Sequence, residues 1–270
     1  MSLLDDKTDS GTMFRPDCAQ YFLPASAGCA GGTISMGLVR DLLRSNPAKN
    51  ALLVNIELCS LGVHPNRSGM SWLLNAGLFG DAIAATAFRG RKSTEDNLEK
   101  SLIFGLEMIH SLQRSVPNTS HVSGFLWDPE GYHFVTTQEL VRVVEKNVPA
   151  FCKEVVKVSG FHDTDDIISI VHPGGAKMID AMVGVIGPNY ILAARESLAD
   201  GGNLASCSVL EILSRRWEAM RTGKSLNSST NVNNDGNKSN SVNVVVVAMG
   251  PGFVMCGTGC RSWKPILSSN

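Results

Sequence analysis

The stretch Gly28-Cys29-Ala30-Gly31-Gly32-Thr33 decides how the chain around it can fold. It follows a short apolar segment, Tyr21 to Ala27, which predicts a strand that ends in a turn. After it, apolar residues recur at helical spacing, which predicts a helix to about Arg44. The cysteine therefore lies at a helix start, and its small neighbours leave room for a bulky group to approach the sulfur.

A thiol at a helix start can be activated by its surroundings. Unpaired backbone N–H groups and the positive end of the helix dipole favour thiolate over thiol. We therefore predict that Cys29 has a pKa below the free value of about 8.5 and acts as a nucleophile. The alternative is a buried, inert cysteine beside a tight turn, because most free cysteines are of that kind.

The composition excludes several classes of protein. The chain has 270 residues, 43% of them hydrophobic, and a net charge of −1, which indicates a globular protein without a nucleic-acid surface. The longest apolar run, around Val244 to Met249, is far shorter than the roughly 20 residues that a bilayer span needs. The acidic N-terminus does not resemble a signal peptide, and the seven cysteines are irregularly spaced, so we expect a cytoplasmic protein without disulfides. Cys256 and Cys260 lack the further ligands of a zinc site, so we expect no metal.

Two further polar residues stand at junctions between predicted elements. His172 begins a His-Pro-Gly-Gly turn after a short strand at 166–171, a position where open α/β sheets place their chemistry. Asn203 follows two glycines and precedes the next predicted helix. Taken singly, the histidine fits a turn cap and the asparagine fits a helix N-cap.

The remaining pattern alternates helices and strands. Helices are predicted at 68–78 and 137–157, one more begins near Ala176 and another runs to about Ala199. Strands are predicted at 51–57, 102–113, 122–127, 242–249 and 253–261. The run at 51–57 is almost continuously apolar, which predicts a parallel strand buried on both faces. Residues 222–241 are polar and predict a disordered insertion.

The motifs together resemble the type III polyketide synthases, the chalcone and stilbene synthase family. The similar segments are Gly28-Cys29-x-x-Gly32, the strand at 51–60, His172-Pro173-Gly174-Gly175 and the Gly-Asn-Leu at 202–204. Gly31 replaces the alanine that is usual in the family. The proline of the histidine turn is typical of these enzymes, whereas ketoacyl-CoA synthases usually carry alanine there.

The resemblance implies a fold and a reaction. It covers about Gln20 to Trp263 and implies an α/β thiolase-like fold, with duplicated, mostly parallel sheets and buried helices, in two halves at 16–98 and 99–265. It implies an acyltransferase, usually a homodimer, that needs no cofactor beyond its CoA thioester substrates. Cys29 would take the acyl group of a starter acyl-CoA, and His172 and Asn203 would serve the decarboxylation of malonyl-CoA.

Further residues occupy family positions around the substrate. Phe79 and Phe134 correspond to phenylalanines at the mouth of the active site, and Gly62 to a position that lines the cavity and is often larger. The family's loop beside the active site corresponds to Gly250, Pro251 and Gly252. From composition alone, an isolated phenylalanine such as Phe79 is more often a core residue.

Family members carry many more residues before the nucleophile, so we expect an incomplete N-terminal half. Strands at 21–25 and 51–57 would then lack neighbours, and we expect poor solubility or weak activity. Two other functions stay open: a ketoacyl-CoA or initiating ketoacyl synthase that condenses once, and an inactive relative that binds acyl-CoA or a full-length partner.

Overall fold

The structure of the chain is a computed structural model. It describes residues 27–63, 68–91, 105–129, 131–162, 167–186, 188–222 and 242–263. The strand predicted before Ala27 and the insertion predicted at 222–241, apart from its first residue, lie outside the described residues. The two predicted halves also stay predictions.

The described elements alternate between helices and strands. The helices are α1 (Gly31–Ser45), α2 (Met70–Leu78), α3 (Glu139–Val158), α4 (Ala176–Ile186), α5 (Pro188–Gly201) and α6 (Ser208–Thr222). The strands are β1 (Asn50–Glu57), β2 (Ala82–Arg89), β3 (Gly105–Ser115), β4 (Ser123–Asp128), β5 (Gly131–Thr136), β6 (Ile167–Val171), β7 (Asn243–Gly250) and β8 (Val254–Trp263). Short 3-10 turns span Gly28–Ala30, Cys59–Gly62 and Ala205–Cys207. None of the described helices has the length and apolarity of a membrane span.

The central sheet has the order β3-β8-β7-β6. β7 lies inside it, and its valines at 244–247 are all buried, which explains the continuous apolar run. β6 pairs with β7 in parallel and ends with Val171 opposite Val247. The residue after this strand end, His172, donates its backbone N–H to the carbonyl oxygen of Val247 over 2.9 Å.

Two helices approach this sheet closely at glycines. A Cβ at Gly257 would lie 2.5 Å from a methyl group of Val155 on α3, and one at Gly37 on α1 would lie 2.5 Å from the hydroxyl of Ser111. Large side chains at these positions would separate the helices from the strands. α1 is thereby fixed with its first turn beside the end of β7, and this places the nucleophile segment.

The prediction of a buried parallel strand at 51–57 is wrong. β1 pairs with β2 in antiparallel register, from Asn50 opposite Arg89 to Glu57 opposite Ala82. Every second residue is exposed, with Leu52 at 48%, Val54 at 46% and Ile56 at 60%. One face of this two-stranded sheet is therefore apolar and open among the described residues, because a strand with both faces covered would not alternate in burial.

The expectation of mostly parallel sheets is also wrong for the described strands. β6 with β7 is parallel, whereas β3 with β8, β7 with β8, β1 with β2 and β4 with β5 are antiparallel. A continuous apolar run does not specify strand direction, so the sequence could not distinguish parallel from antiparallel pairing.

Candidate active site

The Cys29 segment has the predicted form of a turn that enters a helix. The 3-10 turn at Gly28–Ala30 continues without a break into α1. Gly28 has a φ of +52°, and a Cβ there would lie 2.7 Å from Cδ of Pro251. Both the backbone conformation and the close contact require glycine at this position.

The corner between β7 and β8 supports this turn from behind. A Cβ at Gly250 would lie 2.9 Å from the carbonyl oxygen of Ala27 and 2.9 Å from the nitrogen of Ala30. Gly252, with a φ of +123°, donates its N–H to the carbonyl oxygen of Ser123 over 3.1 Å. The glycines thus hold the nucleophile turn in place, while a contact of this corner with substrate stays a prediction.

The structure brings Asn203 to the sulfur of Cys29. Its Nδ2 lies 3.9 Å from Sγ of Cys29 and 3.4 Å from the carbonyl oxygen of Gly174. Its Oδ1 accepts the N–H of Ala205 over 2.9 Å, which fixes the amide with Oδ1 and Nδ2 both 3.9 Å from the sulfur. Asn203 is 2% exposed, so the donor works in a dry environment.

Backbone hydrogen bonds join Asn203 to the end of α2. Its N–H donates to the carbonyl oxygen of Leu78 over 2.7 Å, and its own carbonyl oxygen accepts the N–H of Gly80 over 3.1 Å. These two bonds form a parallel bridge between Phe79 and Asn203. The main chains of Phe79, which is predicted at the mouth of the active site, and of Asn203, a predicted catalytic residue, are therefore hydrogen-bonded together.

His172 reaches the same site through its turn. The carbonyl group that meets the amide of Asn203 belongs to Gly174, two residues after His172. The imidazole is 1% exposed, and its Nδ1 has no hydrogen-bond partner among the described residues. Burial lowers the pKa of His172 to about 4, so the ring is neutral near pH 7.

This buried ring should make the protein sensitive to acid. Because the pKa of His172 is lower in the folded state, its contribution to stability is present above about pH 6.5 and is lost as the pH falls through about 4. A shift of this size corresponds to about 3 kcal/mol of unfolding free energy. We expect urea unfolding to show this loss in the parent chain and a shallower pH dependence in His172→Gln. Parallel curves for both proteins between these pH values would contradict the prediction.

The prediction of a lowered thiol pKa is wrong for this structure. Burial raises the pKa of Cys29 to about 12, and the charge of Glu57 acts in the same direction. The hydrogen bond from Asn203 lowers the pKa but does not outweigh these effects. The sulfur is thus a protonated thiol in the resting protein, because loss of solvent destabilises the thiolate by more than the polar neighbours stabilise it.

Three phenylalanines form a continuous arc beside the nucleophile. The ring centroids of Phe79 and Phe134 are 5.2 Å apart in an edge-to-face arrangement, and those of Phe134 and Phe125 are 5.5 Å apart. Asn75 donates from Nδ2 to the carbonyl oxygen of Phe134 over 2.7 Å and so fixes β5 against α2. We call Phe79, Phe125 and Phe134 the aromatic arc.

Gly62 ends an exposed 3-10 turn, and a Cβ there would meet nothing within 4 Å. Its predicted place in the lining of the cavity stays a prediction. Two residues of the site were not predicted from the sequence: Glu57, which accepts the N–H of Ser206 over 3.2 Å, and Phe125. Glu57 could have been found, because it lies in the segment 51–60 that resembles the family. Phe125 lies in a strand without a clear alternation of apolar and polar residues, so nothing in the nearby sequence marked it.

Two protein families match different parts of the chain. Residues 107–263, more than half of the chain, match the chalcone and stilbene synthases, C-terminal domain. The chain belongs to the chalcone and stilbene synthase family. Residues 24–105, which contain the nucleophile segment, match 3-oxoacyl-[acyl-carrier-protein] synthase III.

Individual relatives agree with this assignment. The chain is 32% identical over 196 residues to the 1,3,6,8-tetrahydroxynaphthalene synthase of Streptomyces coelicolor, which covers 72% of this chain and 50% of the relative. It is 30% identical to type III polyketide synthase C of Arabidopsis thaliana over 72% of this chain and 49% of the relative. The chain thus spans about half the length of these relatives.

Solved structures confirm the predicted thiolase-like fold. The crystal structure of the Streptomyces coelicolor 1,3,6,8-tetrahydroxynaphthalene synthase superposes with a TM-score of 0.72 and 27% identity, covering 89% of this chain and 62% of that one. The polyketide synthase PKS-I of the brown alga Ectocarpus siliculosus, 21% identical, shares the fold with a TM-score of 0.72 over 88% of this chain and 59% of its own.

Proposed function

We propose that the family member described here condenses malonyl-CoA with a starter acyl-CoA through an acyl group carried on Cys29. The observation that supports this most is the amide of Asn203, which lies 3.9 Å from the sulfur and is held there by Ala205. The amide also donates to the carbonyl oxygen of Gly174 in the turn that follows His172, which supports the assignment of His172 to the same site. A buried structural cysteine would need none of this arrangement.

In the first step, the sulfur of Cys29 attacks the thioester carbon of the starter. A carbon–sulfur bond forms to Cys29, the bond to the CoA sulfur breaks, and CoA leaves as a thiol. Because the resting group is a thiol, its proton must leave as the new bond forms. His172 is neutral and therefore in the form that accepts a proton, which it would pass to the departing CoA sulfur.

In the second step, malonyl-CoA loses its carboxylate as carbon dioxide. The electron pair of the broken carbon–carbon bond moves into the thioester, and negative charge develops on its oxygen. The N–H of Asn203 and an N–H of neutral His172 would stabilise this oxygen as an oxyanion hole does. The resulting carbanion attacks the acyl carbon, the Cys29 sulfur leaves as a thiolate that regains its proton from water, and the acyl chain is extended by two carbons.

The partners and surroundings follow from the chemistry. The substrates are CoA thioesters, and one neighbouring structure of the same fold, CsyB, was solved with CoA-SH. We propose that no resident cofactor is needed, since the proton and electron movements above are complete without one. We further propose a homodimer in the cytoplasm, where free thiols such as the described cysteines persist.

The test is condensation by the whole chain. We expect purified protein with malonyl-CoA and an acyl-CoA to give extended products by liquid chromatography and mass spectrometry. Cys29→Ala should reduce product at least about a thousandfold, as loss of a nucleophile does. Cys152→Ala, the same change at a partly buried cysteine on α3, should keep near-parent turnover.

The product distribution separates the remaining functions. Chains extended more than once, or rings formed from them, support a polyketide synthase. A single ketoacyl product supports the initiating synthase. Well-folded protein that incorporates no malonyl carbon and carries no acyl group on Cys29 would contradict the proposal and favour an inactive relative.

A further inference from the structure

The sheet of β1 and β2 has one apolar face that no described residue covers. Burial alternates along both strands, and the inward residues, such as Leu53 and Phe88, pack on the core. The outward side chains form what we call the outer face, and they are Leu52, Val54, Ile56, Ile83, Ala85 and Ala87. A two-stranded sheet is marginal in water, and a continuous exposed apolar patch marks a contact surface.

The outer face has a charge of opposite sign at each end. Arg89 is exposed at the end of β2, in register with Asn50. Asp81 directly precedes β2 and continues the same alternation of exposed residues. Its carboxylate accepts the hydroxyl of Ser60 over 2.6 Å and the N–H of Ser60 over 2.7 Å, and these bonds lower the pKa of Asp81. The face thus carries a cation at one end and an anion at the other.

We propose that the outer face is the contact surface between two copies of this chain, which pack face to face about a two-fold axis crossing the strands at Val54 and Ala85. The inference gives the proposed homodimer its surface and does not depend on the acyl-transfer chemistry. A two-fold axis in this direction reverses the partner strands, so Arg89 of each copy would meet Asp81 of the other. An axis along the strands would instead bring like charges together.

The sizes of the side chains favour the same arrangement. Val54 lies opposite Ala85 in the register of the two strands and would meet the Val54 of the second copy on the axis. Two residues from the axis, the large Ile83 would lie over the small Ala87 of the second copy. Large and small side chains that face each other in this way fill an interface without voids.

The dimensions of the outer face indicate how tightly two copies would bind. β2 has eight residues, so the face is about 26 Å long, and two strands make it about 10 Å wide. Specific interfaces of standard size bury about 800 Å² on each partner, and this footprint is at the small end of the range. We therefore expect a reversible dimer with a Kd of about 1–100 μM.

The first experiment is sedimentation velocity of the whole chain at concentrations on either side of this range. Val54→Lys would place two ammonium groups against each other on the axis and should raise the Kd by about 100-fold or more. Leu192→Lys is the matched control, because Leu192 is an apolar residue on α5 that is also half exposed, and it should leave the Kd unchanged. Ile83→Lys, at a residue that is 69% exposed, should weaken the dimer if Val54→Lys does not fold.

The second experiment tests the direction of the axis by exchanging charges. Arg89→Asp would bring two carboxylates together at each end and should raise the Kd by about 10-fold at low salt. Addition of Asp81→Arg to this variant should return the Kd to within about 3-fold of the parent value. Loss without such rescue, in a double variant with the circular dichroism spectrum of the parent, would contradict the proposed orientation.

The oligomeric state is measured without reference to activity, so the outcomes separate this surface from the proposed function. A dimer that is broken by Val54→Lys but condenses nothing would support the surface and contradict the proposed chemistry. A parent chain that stays monomeric, or a dimer that Val54→Lys does not weaken, would overturn the proposal. Protection of Val54 and Ile83 from hydroxyl radicals in a monomer would assign the outer face to another part of the same chain.

Discussion

Asn203→Ala is expected to slow decarboxylation of malonyl-CoA by about a hundredfold or more, while acyl loading of Cys29 stays within a few-fold of the parent. The reason is where charge appears. Loading places charge on the starter thioester, which the backbone of the Cys29 turn can reach, whereas decarboxylation places it on the malonyl thioester oxygen. The amide Nδ2 of Asn203 is a directed donor in a buried site, and such donors are worth most where water is excluded.

A second substitution separates the donor from the structural role of the side chain. Asn203→Asp keeps an oxygen that can accept the N–H of Ala205 but has no N–H of its own. Because the position is 2% exposed, the carboxyl group should lower stability, so rates are compared under conditions where circular dichroism shows the variant to be folded. Decarboxylation should still be lost there. Asn147→Ala, which removes an amide bonded to Val143 on α3, should keep normal rates. Release of carbon dioxide at the parent rate by Asn203→Ala would remove the assigned role of this residue.

The second large effect is expected from Gly32→Ala. A Cβ at Gly32 would overlap the carbonyl oxygen of Ser206 and lie 3.3 Å from its carbonyl carbon. Since these are backbone atoms, the first turn of α1 must move away from the turn that follows Asn203. We expect a loss of about 2 kcal/mol in unfolding free energy. A displacement of about 1 Å should also cost on the order of a hundredfold in condensation rate.

Gly77→Ala is the matched control for this substitution. Gly77 also lies in a helix, α2, but a Cβ there would meet nothing within 4 Å. Alanine should therefore stabilise the protein by about 0.5–1 kcal/mol through the lower entropy of the unfolded chain. Urea unfolding should thus show a lower unfolding free energy for Gly32→Ala and a higher one for Gly77→Ala, although both substitutions replace a helical glycine with alanine. Stabilisation by Gly32→Ala would show that α1 and the Ser206 turn do not touch.

The junction residues could be predicted from the sequence because their signals are local. Cys29, His172 and Asn203 each stand where an apolar pattern ends beside glycines, and the structure places all three at junctions of elements. Phe125 could not be found in this way, since its position depends on the contact of β4 with a corner more than a hundred residues later. The state of the Cys29 thiol was mispredicted for the same reason. The helix start is local, whereas burial and the charge of Glu57 come from tertiary packing.

The direction of β1 was mispredicted for a different reason. Its composition correctly predicts a strand, but it does not state which strand lies beside it or what covers its second face. The exposed Leu52, Val54 and Ile56 show that an apolar run and a buried strand are separate properties.

The backbone bridge between Phe79 and Asn203 restricts how the proposed substrate specificity could be redesigned. A substitution at Phe79 that shifts its main chain also shifts the amide of Asn203. Such a substitution would therefore change the proposed substrate range and the proposed decarboxylation rate at the same time. Phe134, by contrast, is tied to α2 through the side chain of Asn75, a link that rotamer changes can absorb. Substitutions at Phe134 should therefore disturb Asn203 less than substitutions at Phe79.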